Sequence, residues 1–301
     1  MLIRNLLRMF GHQKWIRFGI RDRIIRAFDN VDKQSNKFFS VPFFGKTYVG
    51  DLSVFIDWST YYYGSYESEE LNLMRDALNG VSDPIIIDVG ANVGHHSLFA
   101  STFAKEVHAF EPFPDVSAKI YDKIKVNSIK NIKVHEVGLG DTNEDLFYYT
   151  PGSHNTGVGY FSAEPINGSA YINLPVRIGD EYLKPYNLPK VDFIKIDVEG
   201  YEPQAIRGLK QTIHLYRPII FFEWSYNERH PDINETHRSH EFKLLFPSNY
   251  TIYNIISNEP YLKFFSKKGY TLIEDIPPIN DGNKIAIPNE KVSNFSNIKH
   301  N

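Results

Sequence analysis

Three groups of residues have the types and the spacing to do chemistry. The first is Asp88-Val-Gly-Ala-Asn-Val-Gly94. Its two glycines let a backbone turn tightly and come close to a ligand. The amide groups at the start of a following helix would face that ligand. The glycines stand four apart, so this is not the G-x-G-x-x-G dinucleotide fingerprint. The second is Glu111, 17 residues beyond Gly94 and followed by Pro112. An acid that ends the next strand can accept hydrogen bonds from both hydroxyls of a ribose. The third is Ile194-Lys-Ile-Asp-Val-Glu-Gly-Tyr-Glu202. Asp197 would stand at the carboxyl end of a strand, the edge where open α/β sheets place their ligands, with Glu199 converging on it. Glu202 reads as a first-turn acid favoured by the helix dipole.

These residues need strands that end at a common edge. Pro84 to Asp88, Val107 to Glu111, Ile132 to Glu136, Phe193 to Asp197 and Ile219 to Glu223 are short apolar runs, each ending in an acid. Helical patterns over Ser97 to Ala104, Val116 to Val126 and Pro203 to Leu209 separate them. Apolar runs of that length between helices are parallel strands covered on both faces. The expected fold is an α/β doubly wound, mostly parallel sheet. A helix over Glu235 to Phe246 and strands at Tyr250 to Ile256 and Lys284 to Pro288 would complete it. Residues 142–180 break the rhythm with turn-rich, aromatic sequence and read as an inserted hairpin or loop.

Composition narrows the function classes. The chain has 301 residues, 42% apolar and 15% aromatic, enough for a core. It has no cysteine, so it has no disulfide, thiolate metal site or cysteine nucleophile. The formal charge of −3 argues against nucleic acid as a partner. That charge is uneven: residues 1–27 carry seven basic residues and one acid. The apolar residues of this arm come in ones and twos between arginines, which is not a secretory signal. Amphipathic helices are expected there, either packed on the body or resting on an anionic membrane surface. The expected location is cytoplasmic, peripheral to a membrane in the second case. Residues 38–66 hold eleven aromatics, read as short strands and turns with Gly45, Gly50 and Gly64 as breakers, and a helix follows from about Glu67 to Leu78. The division expected is an extension over 1–80, a catalytic domain over 81–290 and a polar tail over 291–301.

Taken in order, Gly64-Ser-Tyr-Glu67, Ile87-Asp-Val-Gly-Ala-Asn-Val-Gly94, Phe110-Glu-Pro112, Leu139-Gly-Asp141 and Ile194-Lys-Ile-Asp-Val-Glu-Gly200 resemble the FkbM family of S-adenosylmethionine-dependent methyltransferases. The resemblance spans about residues 60–290. It implies a class I methyltransferase sheet, S-adenosyl-L-methionine as cofactor and transfer of a methyl group to a hydroxyl of a sugar, glycan or related natural product. By the same carry-over Asp88, Gly90, Asn92 and Gly94 would line the methionine half of the cofactor. Glu111 would hold its ribose, and Gly138 and Asp141 would lie near its adenine. Two departures fall on the substrate side: Gly179 stands where a leucine normally precedes Asp180, and His95-His96 replace aromatics after the glycine turn.

An alcohol becomes a good nucleophile as its proton leaves, so a general base is needed within hydrogen-bond reach. Asp197 and Glu199 are the first candidates as catalytic residues, with His95 and His96 behind them. Asp197, Glu199 and Glu223 also offer hard oxygen ligands for Mg²⁺, although cofactor contacts and helix starts account for the same acids and no metal is assigned. Arg229, His230, His237, Arg238 and His240 cluster after the strand ending at Glu223 and could position a polar acceptor or simply form a solvated face. The aromatic residues near 38–66 and 148–171 suit stacking on sugar faces, though a core would use many of them too. A nicotinamide oxidoreductase and a non-enzymatic glycan-binding module are the competing classes; the missing third glycine weighs against the former, and the intact Asp88–Gly94 and Glu111 elements against the latter.

Overall fold

A computed structural model describes residues 2–34, 37–149, 160–162, 171–224, 244–257, 269–275, 282–295 and 298–299. The chain opens with helices α1 (Leu2–Gly11) and α2 (Phe18–Phe28), a hairpin of β1 (Phe38–Phe43) and β2 (Lys46–Asp51), and helices α3 (Phe55–Tyr63) and α4 (Ser68–Ala77). Alternation begins with β3 (Ile85–Val89), α5 (His95–Ala100), β4 (Glu106–Phe110), α6 (Pro114–Asn127) and β5 (Ile132–His135). Four strands then form a separate small sheet: β6 (Gly138–Gly140), β7 (Glu144–Tyr149), β8 (Tyr160–Ser162) and β9 (Tyr171–Ile178). After α7 (Gly179–Leu183) come β10 (Phe193–Ile196), α8 (Glu202–Gly208), α9 (Lys210–Tyr216) and β11 (Ile219–Trp224). The chain closes with β12 (Tyr250–Ser257), β13 (Tyr270–Glu274), β14 (Gly282–Pro288) and β15 (Ile298–Lys299).

The main sheet has nine strands in the order β15-β13-β12-β14-β11-β10-β3-β4-β5. Strands β5, β4, β3, β10 and β11 are mutually parallel, and β14 enters antiparallel between β11 and β12. Every residue of β3 and β10 is buried. Because side chains alternate across a strand, neighbours in sequence feed different cores. Ile86 and Phe193 join one apolar cluster, while Ile87, Ile194 and Ile196 join another. This is the α/β doubly wound, mostly parallel sheet expected from the apolar runs.

Four local features differ from the expectations. Phe55–Tyr63 is a helix, not strand and turn. Its aromatics have strand propensity, but Trp58, Tyr62 and Tyr63 bury against Leu7 and Ile25 of the first two helices, and Gly64 closes the helix at φ +89°. Gly50 lies inside β2 and leaves room for Asp57, whose Cγ would sit 2.6 Å from an added Cβ. The 142–180 stretch is not a lone hairpin, since β6 and β9 pair in parallel beside it. The expected polar tail carries a buried Phe295, and β15 pairs with β13 at the sheet edge. The helix expected over Glu235 to Phe246 lies mostly outside the described residues.

The amphipathic arm packs on the body. Arg8 donates to the Tyr61 carbonyl and Tyr63 Oη donates to Asp22 at 2.9 Å, while within the arm Arg4 pairs with Asp29 at 2.6 Å and Arg26 with Asp22 at 2.9 Å. Leu2, Ile3, Leu6, Met9 and Trp15 stay exposed on the outer side. Among the described residues no helix is long and apolar enough to cross a membrane.

Candidate active site

The turn after β3 is built by three residues with positive φ: Gly90 (+77°), Asn92 (+50°) and Gly94 (+78°). Asparagine tolerates the left-handed region, and its Oδ1 here accepts from the Val93 amide at 2.8 Å. Gly90 is required for another reason. An added Cβ would lie 1.9 Å from the Asp197 carbonyl oxygen. Gly94 faces Ile120 instead, at 3.0 Å from its Cγ1, and so serves packing against α6.

Glu111 follows β4 directly. Its Oε2 accepts from the Asn92 amide and its Oε1 from the Phe113 amide, each at 3.0 Å. A carboxylate has about four acceptor positions, so each oxygen keeps capacity for a further donor from the cleft. Burial pushes its pKa up to about 7 against the pull of those two amides. The cleft beside it has a volume of about 230 Å³. Gly90, Asn92, Glu111 and Gly138 line it, together with Asp197, Glu199 and Glu223.

The acidic part is organised by Lys195. This residue interrupts an apolar strand and is fully buried. Its Nζ donates to Asp197 Oδ2 at 2.9 Å and lies 3.8 Å from Asp88 Oδ1. Burial works against the ammonium, but Asp197 and Asp88 outweigh it and hold the pKa above the usual lysine value. Glu199 sits at φ +55° just past β10. Burial and the neighbouring Asp197 push its pKa to about 7. Glu223, near the end of β11, is pushed to about 8 by burial and by Asp197, to which it is hydrogen-bonded. Glu202 braces the same turn from beneath, its Oε1 accepting from the amides of Val198 (3.0 Å) and Gly200 (3.2 Å).

Three residues expected at the cofactor do not line the cleft. Asp88 is buried under the glycine turn, where Ser97 Oγ donates to its Oδ2 at 2.6 Å. Gly94 packs on α6, as above. Asp141 forms an ion pair with Arg207 at 2.6 Å and ties β6 to α8. Neither histidine after the turn reaches the cleft. Both ring nitrogens of His95 are used, by Thr60 Oγ1 at 3.2 Å and the Tyr66 carbonyl at 3.0 Å, and burial pushes its pKa down to about 3. The oxygens of Asp197, Glu199 and Glu223 do not gather as a three-ligand set. The aromatics of 38–66 are largely core: Phe43, Tyr48, Trp58 and Tyr62 are fully buried, and Tyr66 alone of them lines the cleft. Arg229, His230, His237, Arg238 and His240 lie outside the described residues.

Lys195, Tyr66, Tyr201 and Glu67 belong to the site or its wall without having been singled out. Lys195 carried a signal, since a lone ammonium inside a fully apolar strand must find a buried partner. Tyr66 and Glu67 stand in the Gly64-Ser-Tyr-Glu67 motif and Tyr201 in the Ile194–Glu202 group, but the motifs give them no role, which comes from the packing of distant segments at the cleft.

The five parallel strands, the antiparallel β14 between β11 and β12, and a cleft over the carboxyl ends of β3, β4 and β10 define a class I methyltransferase sheet. The comparisons with known proteins agree. Residues 88–244, just over half of the chain, match the methyltransferase FkbM domain. The chain belongs to the FkbM family of S-adenosylmethionine-dependent methyltransferases. It is 30% identical over 141 residues to the hexuronic acid methyltransferase AglP of Haloferax volcanii, covering 46% of this chain and 55% of that one. It is 25% identical over 165 residues to the 2-O-methyltransferase NoeI of Sinorhizobium fredii, covering 48% and 65%. The chain thus spans less than two thirds of the length of either relative. A crystal structure of methyltransferase FkbM from Methylobacillus flagellatus KT is similar at a TM-score of 0.42 and 15% identity, over 70% of this chain and 47% of that one. Family membership sets aside the nicotinamide oxidoreductase and the non-enzymatic module.

Proposed function

We propose that this enzyme transfers a methyl group from S-adenosyl-L-methionine to a hydroxyl of a sugar or glycan. The observation that carries this reading is that a single cleft is lined by two sets of residues, Glu111, Gly90, Asn92 and Gly138 and the acids Asp197, Glu199 and Glu223. The first set fits the cofactor by its polar groups. Glu111 holds spare acceptor positions for two ribose hydroxyls. Gly90 lets the turn close onto the Asp197 backbone, so that the turn with Asn92 would face the methionine half, and Gly138 would flank the adenine end.

The bound sulfonium supplies an activated methyl group. What remains for the chain is to orient an acceptor oxygen, exclude water and take a proton. Glu199, titrating near 7, is suited to take the proton of a hydroxyl at neutral pH. Asp197 is held by Lys195 and by Glu223, so it acts as an oriented acceptor that fixes the hydroxyl. The AglP and NoeI relatives, by their names, act on a hexuronic acid and at a 2-O position. They support a carbohydrate hydroxyl as acceptor.

The division over residues 1–80, 81–290 and 291–301 belongs to the same proposal: the second segment carries the cofactor and proton-transfer residues, and the first supports the fold and lends Tyr66 and Glu67 to the cleft. The exposed apolar side chains of α1 and α2, with Lys14 and Arg23 exposed beside them, would let the arm rest on an anionic bilayer. Sedimentation with phosphatidylglycerol vesicles tests that contact; recovery of all protein in the supernatant overturns it.

Calorimetric titration with S-adenosylmethionine and with NAD, followed by transfer of a labelled methyl group to hexuronic-acid and neutral-sugar acceptors, tests the main reading. Binding of the methyl donor alone, with label recovered as an ether on a sugar, is expected. No donor binding, or label recovered on nitrogen or carboxylate oxygen, overturns it.

A further inference from the structure

Beside the cleft, and apart from the carboxylates already described, lies a group with the makings of a cation site. Glu67 and Glu70 stand at the start of α4, three residues apart, so both reach the same side of that helix. His96 enters from the first turn of α5. One ligand atom from each of these residues falls within 4.8 Å of the other two, the single such group among the described residues.

His96 is the telling member. It is 7% exposed, and its Nε2 is buried with no hydrogen-bond partner. A buried polar nitrogen left unpaired costs about 1–3 kcal/mol, so one aimed between two carboxylates calls for an explanation. The nitrogen lies 3.9 Å from Glu67 Oε2 and 3.7 Å from Glu70 Oε2. Those distances are too long for hydrogen bonds. They are close to the separation of about 3.4 Å expected for atoms each about 2.1 Å from one ion in tetrahedral geometry. In the neutral imidazole an unprotonated Nε2 offers its lone pair to a metal ion.

Lys195, the nearby ammonium, is already committed to Asp197 and Asp88. A supporting contact is in place as well: Asn283 Nδ2 of β14 donates to Glu70 Oε1, which leaves Oε2 turned to His96. Metal-binding carboxylates are commonly oriented in this way by an outer partner.

We infer that Glu67 Oε2, Glu70 Oε2 and His96 Nε2 bind a divalent transition-metal ion, Mn²⁺ or Zn²⁺, in the wall of the cleft. One imidazole with two carboxylates suits these ions better than Mg²⁺, which prefers oxygen alone. Three protein ligands leave a position open, as catalytic sites do. Glu67 lines the cleft, so that position is reached from it and can take an oxygen of the acceptor in place of water. This last role rests on the methyl-transfer reading; binding of the ion does not.

The test uses the full chain freed of metal by chelation. Calorimetry with MnCl₂ and ZnCl₂, and the electron paramagnetic resonance signal of Mn²⁺, should report one ion per chain. His96→Gln and Glu70→Gln should each weaken it at least tenfold while leaving S-adenosylmethionine affinity within twofold. Asn283→Ala should weaken it about tenfold. Should one variant fold poorly, the thermal shift that Mn²⁺ gives the wild type and withholds from the other decides the matter. No ion bound by the wild type, or an ion whose affinity survives both substitutions, overturns the inference; the second result would place the ion away from Glu67, Glu70 and His96. Failure to bind S-adenosylmethionine would instead sink the methyl-transfer reading, whatever the metal result.

Discussion

Gly90 and Asp197 meet backbone to backbone: a Cβ on Gly90 would lie 1.9 Å from the Asp197 carbonyl oxygen. The amide of Asp197 donates to the Val89 carbonyl at 3.0 Å, so the contact is continuous with the β3–β10 ladder. Neither partner can yield by changing a rotamer. The glycine turn and the backbone that carries Asp197 are one rigid piece. Gly90→Ala adds an unfavourable positive φ to a clash with backbone, and is expected to cost about 3 kcal/mol or more. Gly94→Ala meets the strain but only the flexible Ile120 side chain, and should cost clearly less. Denaturant unfolding of both variants measures the order; equal losses would contradict the contact.

Glu111 should control cofactor affinity. Glu111→Gln keeps the shape but replaces one acceptor oxygen with a donor that faces an amide already donating. Loss of charged hydrogen bonds of about 1.5–3 kcal/mol corresponds to a roughly 10- to 150-fold higher KM for S-adenosylmethionine. The kcat should change far less. Because burial places the wild-type group near 7, affinity should also fall as pH drops from 8 to 6. In the variant that pH dependence should vanish; an unchanged pH profile would remove Glu111 from the ribose site.

Among the carboxylates, Glu199→Gln is expected to lower kcat by about 10²- to 10⁴-fold and to remove an acidic limb with an apparent pKa near 7. Asp197→Asn should reduce kcat as well, since the hydroxyl loses its oriented acceptor and Lys195 loses its nearest partner. Cofactor binding should survive in both. Full activity in Asp197→Asn with wild-type folding would overturn its assignment.

Glu202 should tie stability to pH without touching the reaction. Its folded pKa of about 7 lies above the usual carboxyl value, so the folded state binds more protons through that window. Stability of the cofactor-free protein is therefore highest below the unfolded value and falls as pH rises through about 7. Glu202→Gln retains the Oε1 acceptor for Val198 and Gly200 and removes the titration, so its Tm should depend less on pH between 5 and 8. Parallel Tm curves for wild type and variant would contradict this.

How much of this was legible follows from what periodicity can and cannot encode. Runs such as Ile85-Ile-Ile87 and Phe193-Ile194 must be buried on both faces, and only a covered parallel strand allows it. The turns after them followed, because Gly90 and Asn92 take φ values that most residues avoid. Phe55–Tyr63 was misread because nothing local says that its tyrosines pack on α1 and α2.

The amino-acid order by itself determined the sheet, the glycine turn, and the acids that end β4 and β10. Each depends on neighbours within a few residues, where backbone sterics and side-chain alternation act. Only the tertiary structure decided which acids face the cleft. Asp88 and Glu111 both follow or end strands, yet one is sealed beneath the turn by Ser97 and the other opens beside it. Likewise Glu67, Glu70 and His96 come together because α4 packs on α5, and Lys195 is charged because Asp88 and Asp197 surround it. Burial and charge pairing depend on every segment that closes over a group, and no span of sequence carries that information alone.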